Sequence, residues 1–116
     1  MLASRSVIKP DDLLDIPLIV GRNVGVSRAM SSWLGRDYGS LNIVATFNLI
    51  FNAALLVEEK VGYAFCLDKL VKTSEDGILC FKPFEPAFKA EIMLVWKKNQ
   101  VFSKAAKIFL EKMMLI

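Results

Sequence analysis

The apolar positions of this chain fall into short blocks, some continuous and some spaced at helical intervals. Lys9-Pro10-Asp11-Asp12-Leu13-Leu14 predicts a single helical turn, because proline suits the first helical position and acidic side chains favour that end of the helix dipole. Pro17 opens a short apolar strand, Leu18-Ile19-Val20, followed by the loop Gly21-Arg22-Asn23-Val24-Gly25. Ser27 is placed to cap a helix that reaches Leu34, with Gly35 as its C-terminal stop. The turn Asp37-Tyr38-Gly39-Ser40 leads into a second strand, Leu41-Asn42-Ile43-Val44-Ala45. Leu49, Ala53, Leu56 and Val57 recur at helical spacing and predict a helix from about Asn48 to Glu59. Val61 to Cys66 lacks alternation, as a strand buried on both faces would. A helical turn is expected over Leu67 to Val71, and Thr73-Ser74-Glu75-Asp76-Gly77 reads as a surface loop. Ile78 to Phe81 and Glu91 to Trp96 predict two more strands, the first ended by Pro83 and Pro86. Ser103 caps a final helix on which Phe102, Ala106, Phe109, Leu110 and Met113 make one apolar stripe.

Strands alternating with helices predict βαβ units. The expected fold class is α/β, a Rossmann-like, mostly parallel sheet flanked by helices, with a returning strand and a C-terminal helix. No internal repeat and no helix-turn-helix of DNA-reading length is visible.

Composition changes this picture in one respect. The 116 residues suit one domain, but 54% of them are hydrophobic, more than a small soluble domain needs. Part of the surface is therefore expected to be covered, by a membrane, a partner chain or another piece of the same protein. Residues 38–57 carry no charge and are long enough to span a bilayer. Asn42, Asn48 and Asn52 would be costly there, and the segment reads as a strand followed by a helix, so no membrane partner is expected. The start, Met1-Leu2-Ala3-Ser4-Arg5, has no apolar run behind it and is not a signal peptide. The two cysteines, Cys66 and Cys80, lie in apolar runs without a CxxC spacing. Both observations point to the cytoplasm. Net charge is +3, concentrated in the tail at Lys97, Lys98, Lys104, Lys107 and Lys112. Glu111 interrupts that run and no aromatics interleave it, so it reads as a solvated helix face rather than a nucleic-acid platform.

Catalytic chemistry finds no support. The chain has no histidine, so Ser27 and Ser103 lack the usual activating base. Glu58 and Glu59 are adjacent on a helix and point apart, and Asp11-Asp12 is helix-start charge. Gly21-x-x-x-Gly25 lacks the Lys-Ser/Thr of a phosphate loop. An enzyme is not expected, nor a metal, nor a cofactor. Binding is better supported, because ligands of parallel α/β sheets sit beyond the carboxyl ends of the strands. Three loops qualify. In the first, Arg22 offers a planar fork of donors suited to a carboxylate, beside Asn23. In the second, Thr46, Phe47 and Asn48 put a hydroxyl and an amide at a helix start, where either would equally serve as a plain cap. In the third, Cys66 lines a cleft or simply packs.

The order of these fragments resembles the distal part of the effector-binding domain of LysR-type transcription regulators. Lys9-Pro10-Asp11-Asp12-Leu13 before Pro17-Leu18-Ile19-Val20 is similar to the turn and strand that open the family's second subdomain. Trp33-Leu34, Ile43-Val44-Ala45-Thr46, Leu55-Leu56-Val57 and Val61-Gly62-Tyr63-Ala64-Phe65 follow in the family's order, and Leu94-Val95-Trp96-Lys97 with Phe102 to Leu110 is similar to its closing strand and helix. The sequence departs from the pattern at Lys60, where a glycine is usual, and at Leu67-Asp68, where proline is usual. The resemblance implies a periplasmic-binding-protein-like subdomain over about residues 6–88 and a crossover back to the first subdomain over about residues 89–116 of the partial domain 1–116. It further implies a small-molecule effector bound between two subdomains, a homo-oligomer, and DNA contact only through a helix-turn-helix domain absent from this chain. The alternatives are a non-sensing interaction fragment that pairs through exposed sheet edges, or a decayed gene product. A periplasmic solute-binding protein shares the broad fold but would need export.

Overall fold

The computed structural model describes residues 2–22, 24–74, 77–89 and 93–114, without the side chains of residues 3 and 24–27. Strand β1, Leu18–Gly21, runs through the middle of the sheet. Leu18, Ile19 and Val20 are all buried, which is why this strand is apolar at every position rather than alternating. Helix α1, Val24–Leu34, starts four residues before a helix capped by Ser27 would. It stops at Gly35, whose φ of +70° suits a residue without a Cβ and whose amide donates to the Ser31 carbonyl at 3.0 Å. Strand β2 is Ile43–Phe47, helix α2 is Ile50–Glu58 and strand β3 is Tyr63–Ala64. The sheet order is β2-β1-β3, and both pairings are parallel.

Side chains alternate across a strand, so Leu18 and Val20 face one side of the sheet and Ile19 the other. Leu18 and Val20 join Ile8, Leu13, Met30, Leu34 and Leu41 in the main core, under α1. Ile19 and Ala53 of α2 are just as buried but lie outside that cluster, and α2 packs against β2 and β3. The two helices thus cover opposite faces. Right-handed crossovers, first from β1 out to β2 and then back past β1 to β3, require that arrangement. The expected α/β class, a parallel sheet between helices, is the class observed.

The exit of α2 explains how the chain manages without the usual glycine at position 60. The Val61 amide donates to the Leu56 carbonyl at 3.0 Å and the Lys60 amide to the Val57 carbonyl at 2.9 Å, the paired bonds of a Schellman termination. That motif needs a left-handed residue, and Lys60 supplies it with φ of 62°. A residue with a Cβ in that region is strained by roughly 1–2 kcal/mol, part of which glycine would return to unfolded-chain entropy. Lys60→Gly is therefore expected to stabilise the fold by about 0.5–1 kcal/mol and to raise the thermal midpoint by about 2–5 °C. An unchanged or lower midpoint in a calorimetric scan would contradict the strain argument.

Beyond β3 several expected elements shrink or disappear. The strand expected over Val61 to Cys66 is regular only at Tyr63–Ala64, although the Phe65 amide still donates to the Ile19 carbonyl at 3.1 Å. Leu67 to Val71 is a turn, not a helical one, because Lys69 adopts φ of 68°. Ile78 to Phe81 forms no strand and pairs with none among the described residues, and Ile78 is 84% exposed. The chain returns to the core at residues 83–85 instead. The Ile8 amide donates to the Pro83 carbonyl, and the Glu85 amide to the Ile8 carbonyl, both at 2.9 Å, making a parallel bridge between Ile8 and Phe84. Phe84 stacks on Trp33 with ring centroids 4.5 Å apart, and the Trp33 Nε1–H donates to the Pro86 carbonyl at 2.6 Å.

Of the last expected strand, Glu91 and Ile92 lie outside the described residues, and Met93 to Trp96 pairs with no other strand. Met93 and Val95 are exposed. Helix α3, Lys104–Met114, is formed as expected, with the Ser103 hydroxyl accepting from the Ala106 amide at 3.1 Å. It has no extensive packing with the sheet elements. The radius of gyration is accordingly 17.3 Å, against about 13 Å for a compact chain of this length. No helix of the described residues is long and apolar enough to cross a membrane.

Candidate functional site

The register of the sheet decides which loops meet. Val20 lies opposite Thr46 and Gly21 opposite Phe47, so β1 and β2 end side by side. The pairing continues one residue further, where the Arg22 amide donates to the Phe47 carbonyl at 3.2 Å. The chain leaving β1 goes to α1 on one face, and the chain leaving β2 goes to α2 on the other. Adjacent strands whose connections diverge in this way leave a crevice outside their carboxyl ends, the usual place for a ligand in open α/β sheets.

Arg22, Thr46, Phe47 and Asn48 are gathered at that point. The Arg22 Nε–H donates to the Thr46 hydroxyl oxygen at 3.2 Å. Arg22, Thr46 and Asn48 are exposed and Phe47 is half-buried. A Cβ at Gly21, opposite Phe47, would meet the Phe47 ring at ordinary contact distance, 3.8 Å, so the site does not require glycine there. Asn23 lies outside the described residues.

The cap reading of the second loop does not hold. Helix α2 begins after Leu49, and its N-cap makes no side-chain hydrogen bond. Thr46, at the end of a strand rather than the start of a helix, spends its hydroxyl on Arg22. That cross-strand bond was not anticipated from the residues. It depends on β1 and β2 being neighbours in one particular register, a long-range fact that local spacing does not carry.

Cys66 stands apart from this group. It follows β3, on the other side of β1 from β2, and no hydrogen bond ties it to Arg22 or Thr46 among the described residues. It is half-buried, whereas Cys80 is exposed. Burial first, and the nearby Asp68 carboxylate second, raise its thiol above the ordinary value, so it stays neutral at physiological pH. Two open hollows lie elsewhere, one lined by Arg5, Ser6, Val7, Lys9 and Asp12, the other by residues of α3 with Leu94, Val95 and Trp96. None of the expected effector residues lines either hollow among the described residues.

Comparison with known proteins adds one positive finding. The family model for the LysR substrate binding domain matches residues 1–114. No curated protein and no solved structure matches the chain.

Proposed function

The chain belongs to the LysR substrate binding domain family, and from that premise we propose that it senses a small-molecule effector for a LysR-type transcription regulator. The match along nearly the whole chain carries the reading. The convergence of Arg22, Thr46, Phe47 and Asn48 at the carboxyl ends of β1 and β2 supports it, because ligands of open α/β sheets sit outside those ends. In this reading about residues 6–88 act as the second of two subdomains and about residues 89–116 return to the first. Cys66, past the end of β3, stands at the far margin of the cleft beyond β1, DNA contact falls to a separate helix-turn-helix module, and the regulator works as a cytoplasmic homo-oligomer.

The exposed apolar side chains of Met93, Val95 and Val101 favour a second reading, in which the chain acts by pairing with another chain. One experiment separates the two. Thermal melting and light scattering would be recorded across a panel of small metabolites. A ligand at a hundred times its Kd stabilises the folded state by about 2.7 kcal/mol, raising the midpoint by several degrees. The effector is expected to slow alkylation of half-buried Cys66 while leaving exposed Cys80 unchanged. A concentration-dependent dimer with no metabolite response would favour pairing over sensing.

A further inference from the structure

Resting on the effector-site reading, the geometry points to a ligand that carries a carboxylate, gripped by Arg22 with Thr46 as the residue that positions it. The argument starts from what Arg22 still has to offer. Its backbone is pinned by the bond from its amide to the Phe47 carbonyl, and its Nε–H is engaged by the Thr46 hydroxyl. The two terminal amino groups are left on the outer edge of the guanidinium. That edge presents parallel N–H bonds in one plane, the shape that matches the two oxygens of a carboxylate.

Charge supports the same class. Among the described residues the ion pairs are Arg5 with Asp12 and Arg36 with Asp11, and neither involves Arg22. The connections leaving β1 and β2, residues 21–28 and 46–50, contain Arg22 and Arg28 and no acidic residue. An anion approaching between these two loops meets no like charge from either; Asp68, beside Cys66, follows β3 on the other side of β1. The two terminal amino groups keep four N–H donors and carry one positive charge, which a single carboxylate balances and a phosphate dianion exceeds.

Thr46 acts through Arg22. A long flexible side chain that is fixed at Nε loses less rotamer freedom when the ligand arrives, which is a gain from preorganisation.

The test is a two-dimensional amide and arginine-side-chain NMR titration of the whole chain with sodium benzoate, benzamide and inorganic phosphate. Benzoate is expected to shift the Arg22 Nε–H and the Arg22 and Phe47 amides saturably, with benzamide leaving them in place and phosphate binding more weakly. Arg22→Lys should raise the benzoate Kd roughly tenfold, because the planar fork is lost while the charge is kept. Thr46→Val should weaken benzoate several-fold and Thr46→Ser should restore it, an outcome that a merely structural threonine methyl would not give. Equal shifts from benzamide would overturn the carboxylate assignment and leave the effector site standing. Phosphate binding more tightly than benzoate would replace carboxylate by phosphate. No shift at Arg22 or Phe47 with any probe would remove both the assignment and the site. The benzoate and benzamide arms use the unaltered chain, so the decision does not depend on a variant that folds.

Discussion

Leu18→Ala is expected to destabilise the fold by about 2–5 kcal/mol, the usual effect of removing a fully buried leucine side chain and leaving a cavity. Leu18 is 0% exposed and belongs to the main core cluster. Its strand is the central one, paired with Ile43 on one side and Tyr63 on the other, so the surrounding backbone has little freedom to collapse into the gap. The core is small: nine of the described hydrophobic side chains are buried. With a total stability of about 5–15 kcal/mol for a domain of this kind, the loss would leave a large unfolded fraction at physiological temperature. Urea unfolding followed by circular dichroism would show it as a large fall in midpoint. Leu18→Met, which nearly conserves volume, should lose less than about 1.5 kcal/mol. Equal midpoints for Leu18→Ala and the unaltered chain would mean that the core does not rest on β1.

Gly62→Ala is the second large effect, expected at about 2–4 kcal/mol. A Cβ at Gly62 would stand 2.8 Å from the Pro17 carbonyl oxygen and 3.2 Å from its carbon. Both are backbone atoms of the segment entering β1, so relief requires moving a strand rather than rotating a side chain. The same carbonyl accepts the first ladder bond of β3, from the Tyr63 amide at 2.9 Å, and the shift would stretch it. Gly21→Ala is the matched control. Its nearest neighbour would be the Phe47 ring at 3.8 Å, and its effect should be within about 1 kcal/mol of zero. Comparable losses at the two positions in a denaturant series would show that close backbone approach is not what position 62 requires.

The legibility of this chain follows the range of the interactions involved. The strand at Leu18, the stop at Gly35 and the Ser103 cap were readable because each is set by a few adjacent residues. The glycine missing at position 60 was readable as a departure, and it is a strained left-handed lysine in the fold. What could not be read were pairings. Ile78 to Phe81 and Met93 to Trp96 have the composition of strands, yet composition does not supply a neighbouring edge. Read loop by loop, the residues after successive strands are equivalent candidates for the effector. The register then bound Thr46 to Arg22 and left Cys66 on the far side of β1.

The bridge between Ile8 and Phe84 also bears on how the chain reaches its final state. It joins positions near the two ends of the α/β unit, so nearly the whole sheet lies inside the loop that it closes. Local events, such as winding α1 or docking β1 beside β2, can precede it, but this contact gains nothing until the intervening chain is already compact. It is therefore a late event in folding, and an early one in unfolding. A change at Ile8 would chiefly speed unfolding and leave the refolding rate almost untouched.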